Sequence, residues 1–324
     1  MVLETVPLGQ TGLSVSELAL GTWRFGREND AGEVEIEEDR AHELLDAFAD
    51  RGGTFIDTAN SYGDGRAEEW IGEWLADRDR DEYVVASKIY WPTRSNDPNA
   101  SGLNRKHLRG QIDCILDRLE TSYLDLLYVH RWDDATPAAE YMRTLNGFVE
   151  DGRVNYLGTS TETPNAWKVV KANELARQNG YEPFSVAQPR YNLLDREIEA
   201  RYLPMCRDYS LGIVPWSPLA GGFLTGKYGR DETAPSTSRA ATDQSFADRY
   251  FCDEHFEVLD HVKMIALEVG ATPAQVSLAW LLHQDAVTAP IVGARTVDQL
   301  EENVEATAVT LTAAQRTELR EGTA

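Results

Sequence analysis

The chain has 324 residues, 42% of them hydrophobic, and a formal net charge of −23 from 54 acidic and 31 basic residues. That is enough apolar material for one large core or two smaller ones, while the charge argues against a nucleic-acid partner, which needs clustered Lys and Arg. No apolar run approaches a membrane span, and the N-terminal MVLETVPLGQTGLSV lacks the basic and apolar regions of a signal peptide, so a cytoplasmic protein without a membrane partner is expected. Six lysines (Lys88, Lys106, Lys168, Lys171, Lys227 and Lys263) stand against 25 arginines. Abundant acid with scarce lysine predicts the salt-rich cytosol of an extreme halophile, with an ordinary acidic cytosolic protein as the alternative; either is a statement about solvent and not about fold. The three cysteines, Cys114, Cys206 and Cys252, show no metal or disulfide spacing.

In chain order, residues 2–16 read as a hairpin turning at Gly9-Gln10-Thr11-Gly12, followed by a strand over 16–20 that ends at Gly21-Thr22-Trp23. Apolar residues in helical register then predict a helix over 38–51, before a strand over 54–56 and a helix over 66–77. A strand over 83–87 stops at Lys88, and a helix over 104–120 begins at Asn104, a residue type that caps helices. A strand over 125–129 stops at His130 and a helix covers 137–151. The second half repeats the alternation with strands at 154–157, 184–187, 212–215 and 289–292, and helices at 164–179, 195–209, 254–268, 273–284, 297–305 and 312–321. A long polar segment over 220–250 exceeds the usual loop length and reads as a lid or binding loop, with disorder as the alternative.

Eight short apolar strands, each followed by a helix, imply parallel strands with right-handed crossovers. Eight units in one chain of this length predict a closed (β/α)8 TIM barrel with an N-terminal hairpin and extra C-terminal helices. No linker divides the halves, so residues 1–324 are expected to form a single domain. The active site of such a barrel lies at the C-terminal ends of its strands. There the second strand ends at Asp57, the third at Lys88 and the fourth at His130, with Tyr62 in the loop after the second.

A buried carboxylate needs a partner, and Lys88 is the natural one for Asp57. An ammonium beside a phenol favours the phenolate, so the Tyr62 pKa is expected to fall below about 10, which makes the residue a general acid near neutral pH. The bland alternative is a buried ion pair beside a surface tyrosine; four groups converging at consecutive strand ends argue against it. No second ligand is spaced for a metal at His130, and the neighbouring ammonium repels cations, so His130 reads as a donor to a carbonyl oxygen. The later strand ends carry Ser160, Gln188, Trp216, Ser217, Gly293 and Arg295, a set suited to a large polar cofactor. Thr296 and Gln299 have capping-box spacing at a helix N-terminus, where phosphate binds. No GxGxxG lies between a strand and a helix, which removes a Rossmann site.

Eight ordered segments carry a resemblance: LALGTWRFG (18–26), FIDTANSYGDGRAEEWIGEWL (55–75), VVASKI (84–89), DLLYVHRWD (125–133), GRVNYLGTS (152–160), AQPRYNLLDRE (187–197), VPWSPLAGGFLTGKY (214–228) and IVGARTVDQLEEN (291–303). Over essentially its whole length the chain resembles the aldo-keto reductases, most nearly the general bacterial reductases and the potassium-channel β subunits. The resemblance implies a catalytic tetrad of Asp57, Tyr62, Lys88 and His130 and an NADP(H) cofactor, with NAD(H) as the alternative. It implies that Trp216 stacks on the nicotinamide, with Ser160 and Gln188 on the carboxamide. Ser217, Pro218, Leu219, Gly221 and Lys227 would line the pyrophosphate, and Gly293, Arg295, Gln299, Glu302 and Asn303 would hold the adenosine 2′-phosphate and adenine. Gly21, Thr22, Trp23 and Asp57 complete the implied cofactor set, and Trp23, Tyr90, Trp91 and Trp132 the substrate rim.

Two departures matter. Thr161 stands where many members have Asn, and Gly293-Ala294 where many carry Lys-Ser, which leaves Arg295 as the main cation for a 2′-phosphate. The implied activity is hydride transfer between NADPH and an aldehyde or ketone, protonated by Tyr62, or the reverse oxidation of an alcohol. The alternative is a nucleotide-binding regulatory subunit with little turnover. Oligomeric state and substrate are not legible in the sequence.

Overall fold

The computed structural model describes residues 2–29, 32–94, 96–161, 165–230, 235 and 238–322. The expected hairpin is present as β1 (Thr5–Pro7) and β2 (Ser14–Ser16), paired antiparallel. It precedes eight parallel strands: β3 (Ala19–Gly21), β4 (Phe55–Asp57), β5 (Val84–Ile89), β6 (Leu124–Val129), β7 (Val154–Thr159), β8 (Phe184–Ala187), β9 (Gly212–Ile213) and β10 (Ile291–Val292). Their order is β10-β3-β4-β5-β6-β7-β8-β9. Main-chain bonds from Ile291 N to Pro215 O (2.9 Å) and Thr288 N to Ile213 O (2.7 Å) join the two ends, so the sheet closes into the (β/α)8 barrel.

Strands β3 to β8 are followed in turn by α1 (Glu38–Asp50), α2 (Arg66–Leu75), α3 (Arg105–Arg118), α4 (Ala138–Glu150), α5 (Ala166–Asn179) and α6 (Tyr202–Asp208). After β9 come α7 (Arg239–Thr242), α8 (Gln244–Tyr250), α9 (Asp253–Val269) and α10 (Pro273–Leu282), and after β10 come α11 (Val297–Glu305) and α12 (Ala313–Glu321). Helix starts follow local chemistry. Asn104 caps α3 by accepting from His107 N at 2.9 Å, and Thr272 caps α10 through a capping box with Pro273 in the first turn.

β9 and β10 are shorter than the expected 212–215 and 289–292 because Pro215 and Pro290 have no N–H for the ladder. β7 is longer than expected, running on to Thr159. The polar stretch over 220–250 is not one open loop. A 3₁₀ segment at Ala220–Thr225, α7 and α8 lie within it, and Phe246 and Tyr250 pack with Phe223, 6.1 Å from the Tyr250 ring. These helices are too short to show a period. Residues 231–234, 236 and 237 of that stretch, and residue 164 at the expected start of the fifth helix, lie outside the described residues. Among the described residues no single helix is long and apolar enough to cross a membrane.

Two apolar layers set the geometry of the mouth. One lies between strands and helices. The other fills the barrel with Ala19, Phe55, Val84, Ala86, Leu126, Tyr128, Val186, Val214, Ala289 and Ile291, plugged from the hairpin side by Leu8 and Val15. Strand side chains alternate with a period of two. Two residues beyond Phe55, Ala86 and Tyr128 on the same inward face stand Asp57, Lys88 and His130. The sequence pattern that packs the barrel therefore also aims these three groups into its open end.

Candidate active site

Asp57 and Lys88 are buried, with Lys88 Nζ donating to Asp57 Oδ1 at 2.5 Å and to the Thr58 carbonyl at 2.8 Å. The same ammonium lies 3.2 Å from Tyr62 Oη. Tyr62 arrives from a short 3₁₀ segment, Tyr62–Gly65, in which Gly63 has φ 56°. A Cβ on Gly63 would sit 2.5 Å from the Phe25 carbonyl oxygen, so both the turn and its close approach to the loop after β3 require glycine. His130 presents its ring 5.9 Å from that of Tyr62, edge to face, and its Nδ1 is buried with no hydrogen-bond partner among the described residues. Gln188 Nε2 donates to Asp57 Oδ2 at 2.7 Å, tying β8 to the same carboxylate.

The electrostatics differ from the sequence expectation at Tyr62. Burial raises its pKa; Lys88 pulls it down, Asp57 pushes it up again, and the net direction is upward. The expected fall is therefore corrected: Asp57 neutralises the ammonium at close range, and desolvation of a phenolate dominates. Burial also opposes the Lys88 charge, but Asp57 and Tyr62 together outweigh it and hold the ammonium protonated. Burial pushes the Asp57 carboxyl up, and Lys88 and Gln188 pull it back only in part. Burial, followed by the Lys88 charge, holds His130 well below the ordinary imidazole value, so its ring is neutral at pH 7. A protonated phenol, a fixed ammonium and a neutral imidazole at one cavity wall can hold a carbonyl oxygen and give it a proton.

The cavity measures about 1220 Å³ and runs from Trp91 and His130 across the barrel mouth to α11. Its lining includes Gly21, Trp23, Asp57, Tyr62, Trp91, His130, Ser160, Gln188, Trp216, Ser217, Pro218, Leu219, Gly221, Lys227, Gly293, Arg295, Gln299, Glu302 and Asn303. Lys88 stands behind this surface and reaches it through Tyr62. Thr22, Tyr90 and Trp132 are not among the described lining residues. Thr22 is fully buried and donates to the Asp57 carbonyl at 3.1 Å, Tyr90 packs on the core beside Trp91, and Trp132 sits edge-on to Tyr141. Ser160 Oγ donates to the Gln188 carbonyl at 3.0 Å, so both residues proposed for a carboxamide already hold protein partners.

The far wall is cationic. Lys227 makes no ion pair among the described residues, and its pKa is lowered by burial and then by Arg295 and Arg24. Arg24 is likewise lowered, by burial first; Glu35 offsets this, and Arg295 and Arg239 add to it. Four cations gathered along one wall of a large cavity, with Lys227 and Arg24 each held down in part by cationic neighbours, suit an anion. Thr296 caps α11 by accepting from Gln299 N at 3.2 Å; the Gln299 side chain accepts from Arg295 N at 2.9 Å instead of closing a capping box on Thr296. Ser217 has φ 55°, a left-handed conformation costly for a non-glycine residue, at the edge of the same wall. This donor set fits a long, polyanionic nucleotide.

A sequence profile of the Aldo/keto reductase family matches residues 17–322. The chain belongs to the aldo/keto reductase family. Similar proteins include a norsolorinic acid reductase of Aspergillus flavus, 36% identical over 307 residues (93% of this chain, 76% of that protein). Others are an aryl-alcohol dehydrogenase of Pestalotiopsis microspora, 37% identical over 316 residues (95% and 79%), and a probable voltage-gated potassium channel β subunit of Oryza sativa, 36% identical over 309 residues (92% and 89%). The family assignment and the closed barrel agree with the resemblance read from the motifs.

Several residues of this aldo/keto reductase escaped the sequence reading. Glu68, on α2 and fully buried, accepts from Ser87 Oγ at 2.5 Å and pairs with Arg118 at 2.5 Å; burial lifts its pKa to about 7 against the pull of Arg118. It braces α2 and β5 directly behind Lys88. Arg24 and Arg239, each with its guanidinium 5.3 Å from the Trp23 ring, join Lys227 and Arg295 at the cationic wall. Arg190 lies 4.3 Å over one face of Trp216. Only Glu68, three residues after a strand-end loop on an otherwise apolar helix face, left a local signal. Spacing showed no metal site either, yet the ligand-type atoms of Glu38, His42 and Glu73 gather within 4.8 Å of one another, away from the cavity and with both carboxylate residues exposed.

Proposed function

We propose that this aldo/keto reductase is an NADP(H)-dependent oxidoreductase that interconverts an aldehyde or ketone and its alcohol, with Tyr62 as the general acid in the reducing direction. The carrying observation is Lys88 Nζ, 2.5 Å from Asp57 Oδ1 and 3.2 Å from Tyr62 Oη, directly behind a cavity wall on which Tyr62 and His130 stand. When bound, the nicotinamide supplies or accepts the hydride. Tyr62 then gives its phenolic proton to the developing alkoxide, and the Lys88 ammonium stabilises the phenolate left behind. Neutral His130 orients the carbonyl oxygen, and Asp57 holds Lys88 in place. Trp216, with Arg190 covering one face, offers the other to a flat ring; Lys227, Arg24 and Arg239 receive phosphate charge, and Arg295 favours a 2′-phosphate.

Aromatic carbonyls are the first substrates to try, because relatives are named for norsolorinic acid and aryl alcohols and because Trp23 and Trp91 line the cavity. The test is oxidation of NADPH, beside NADH, with 4-nitrobenzaldehyde in high KCl, the solvent that the acid-rich composition favours. Turnover that disappears in Tyr62→Phe while NADPH still binds supports the reading; equal turnover in that variant removes Tyr62 as the acid. The similarity to a channel β subunit supports a second reading, a redox-reading regulatory protein. Firm NADPH binding with no turnover of any carbonyl or alcohol would favour it.

A further inference from the structure

Of the cationic side chains that line the cavity, most already face a carboxylate. Arg24 bonds both Glu35 oxygens at 2.7–2.8 Å, and Arg27 and Arg295 lie 3.8 and 3.6 Å from the same residue. Arg66 pairs with Glu28 at 3.0 Å and Arg239 with Asp243 at 3.0 Å. Two do not among the described residues: Lys227, on the wall read above as the phosphate side, and Arg131, beside the Trp91 and His130 end of the cavity. Arg131 lines the cavity, is exposed, and makes no hydrogen bond or ion pair among the described residues, in a chain with 54 acidic residues available to it. Its guanidinium lies 5.7 Å from the Trp91 ring, and that ring lies 6.1 Å from His130. Trp91 is 38% exposed, unusual for a large apolar side chain in this protein.

We propose that Arg131 and Trp91 form a recognition site for an aromatic carbonyl substrate that carries a carboxylate. The proposal rests on the reductase reading and names the substrate class for that site. One neighbouring ring separates the imidazole that would orient the carbonyl from an unpaired guanidinium. A flat substrate lying on Trp91 therefore has its carbonyl at His130 and Tyr62 and its far end at Arg131. A single planar guanidinium matches the two oxygens of a carboxylate, whereas a phosphate site gathers several donors, as the opposite wall of the same cavity does. In a salt-rich solvent the whole-molecule charge of −23 is screened beyond a few ångströms, so retention of an anionic substrate falls to a cation in direct contact with it. The carboxylate makes and breaks no covalent bond: hydride still goes to the carbonyl carbon and the proton from Tyr62 to its oxygen.

The experiment compares 4-carboxybenzaldehyde with its neutral methyl ester, methyl 4-formylbenzoate, in the wild type, Arg131→Gln and Arg131→Lys. The acid-to-ester ratio of kcat/KM is expected to fall about 10- to 100-fold in Arg131→Gln, mainly through KM of the acid, and to recover in part in Arg131→Lys. An unchanged ratio in Arg131→Gln, with reduction of both aldehydes intact, overturns the proposal and leaves the reductase reading standing. Loss of both substrates in the wild type sinks the reductase reading instead, and equilibrium binding then decides on Arg131. Quenching of tryptophan fluorescence by 4-(hydroxymethyl)benzoate should weaken by the same factor in Arg131→Gln, and equal binding overturns the site. Matching melting curves show that the variants are folded.

Discussion

The strand ends of the two halves of the barrel are built differently. At β4 and β5 the charged groups are buried and satisfied by their neighbours: Asp57 has Lys88 and Gln188, and Lys88 has Asp57, Thr58 and Tyr62. After β3, β9 and β10 the cations stand at an open wall: Arg24 and Arg295 share the carboxylate of Glu35, Arg239 pairs with Asp243, and Lys227 makes no ion pair among the described residues. The first arrangement is complete without a ligand and fixes a geometry. The second is incomplete without an anion and stores its favourable interactions for binding. On the proposed reading, chemistry that must happen at a fixed distance falls where the core is tight, and recognition of a large ligand where the surface is open.

If that contrast is right, the first half should break hardest. Lys88→Met leaves Asp57 buried without its cation and should lower stability by about 3–5 kcal/mol as well as abolish turnover; chemical denaturation measures it. A variant as stable as the wild type would show that Asp57 is neutral in the folded protein. Next in size, Tyr62→Phe should reduce kcat by about 10²- to 10⁴-fold with little change in the NADPH dissociation constant. An equally large loss of NADPH binding would mean the two halves are not separable. In the second half, Arg295→Ala should weaken NADPH by about tenfold and NADH much less, read by fluorescence titration, with kcat near wild type. Equal effects on both nucleotides would move the 2′-phosphate contact to Lys227, Arg24 or Arg239.

The mildest effect is in pH. Tyr62 stays protonated past its ordinary value and His130 stays neutral below its own, so the rate of reduction should be level between about pH 6 and 9. An inflection near 6.5 would place His130 in a wetter setting than the buried one. The same depression affects stability. Below about pH 6.5 the unfolded chain takes up a proton that folded His130 refuses, so stability falls with pH, and an asparagine or glutamine at that position should flatten the fall.

Much of this was legible along the chain. Eight apolar runs alternating with helical patterns gave the barrel, and Asp57, Lys88 and His130 each stand at the end of a run, so period-two alternation alone aims them at the mouth. Tyr62 follows Asp57 by a turn whose Gly63 shows its need for a left-handed backbone. These are local properties: periodicity, residue type and turn chemistry act over a few residues and do not depend on the rest of the molecule.

What the tertiary structure decided was depth and distance between remote segments. The direction of the Tyr62 shift depends on how far water is excluded from it, which no neighbour in sequence reports. Thr22, Tyr90 and Trp132 sit beside the right strand ends but turn into packing. Arg24, Lys227, Arg239 and Arg295 come from opposite ends of the chain and meet only because the β9–β10 seam closes the barrel, bringing the loop after β3 against the segment after β9. Barrel closure depends on every strand pairing at once, so the positions it brings together, and the charges they impose on one another, exist only in the folded whole.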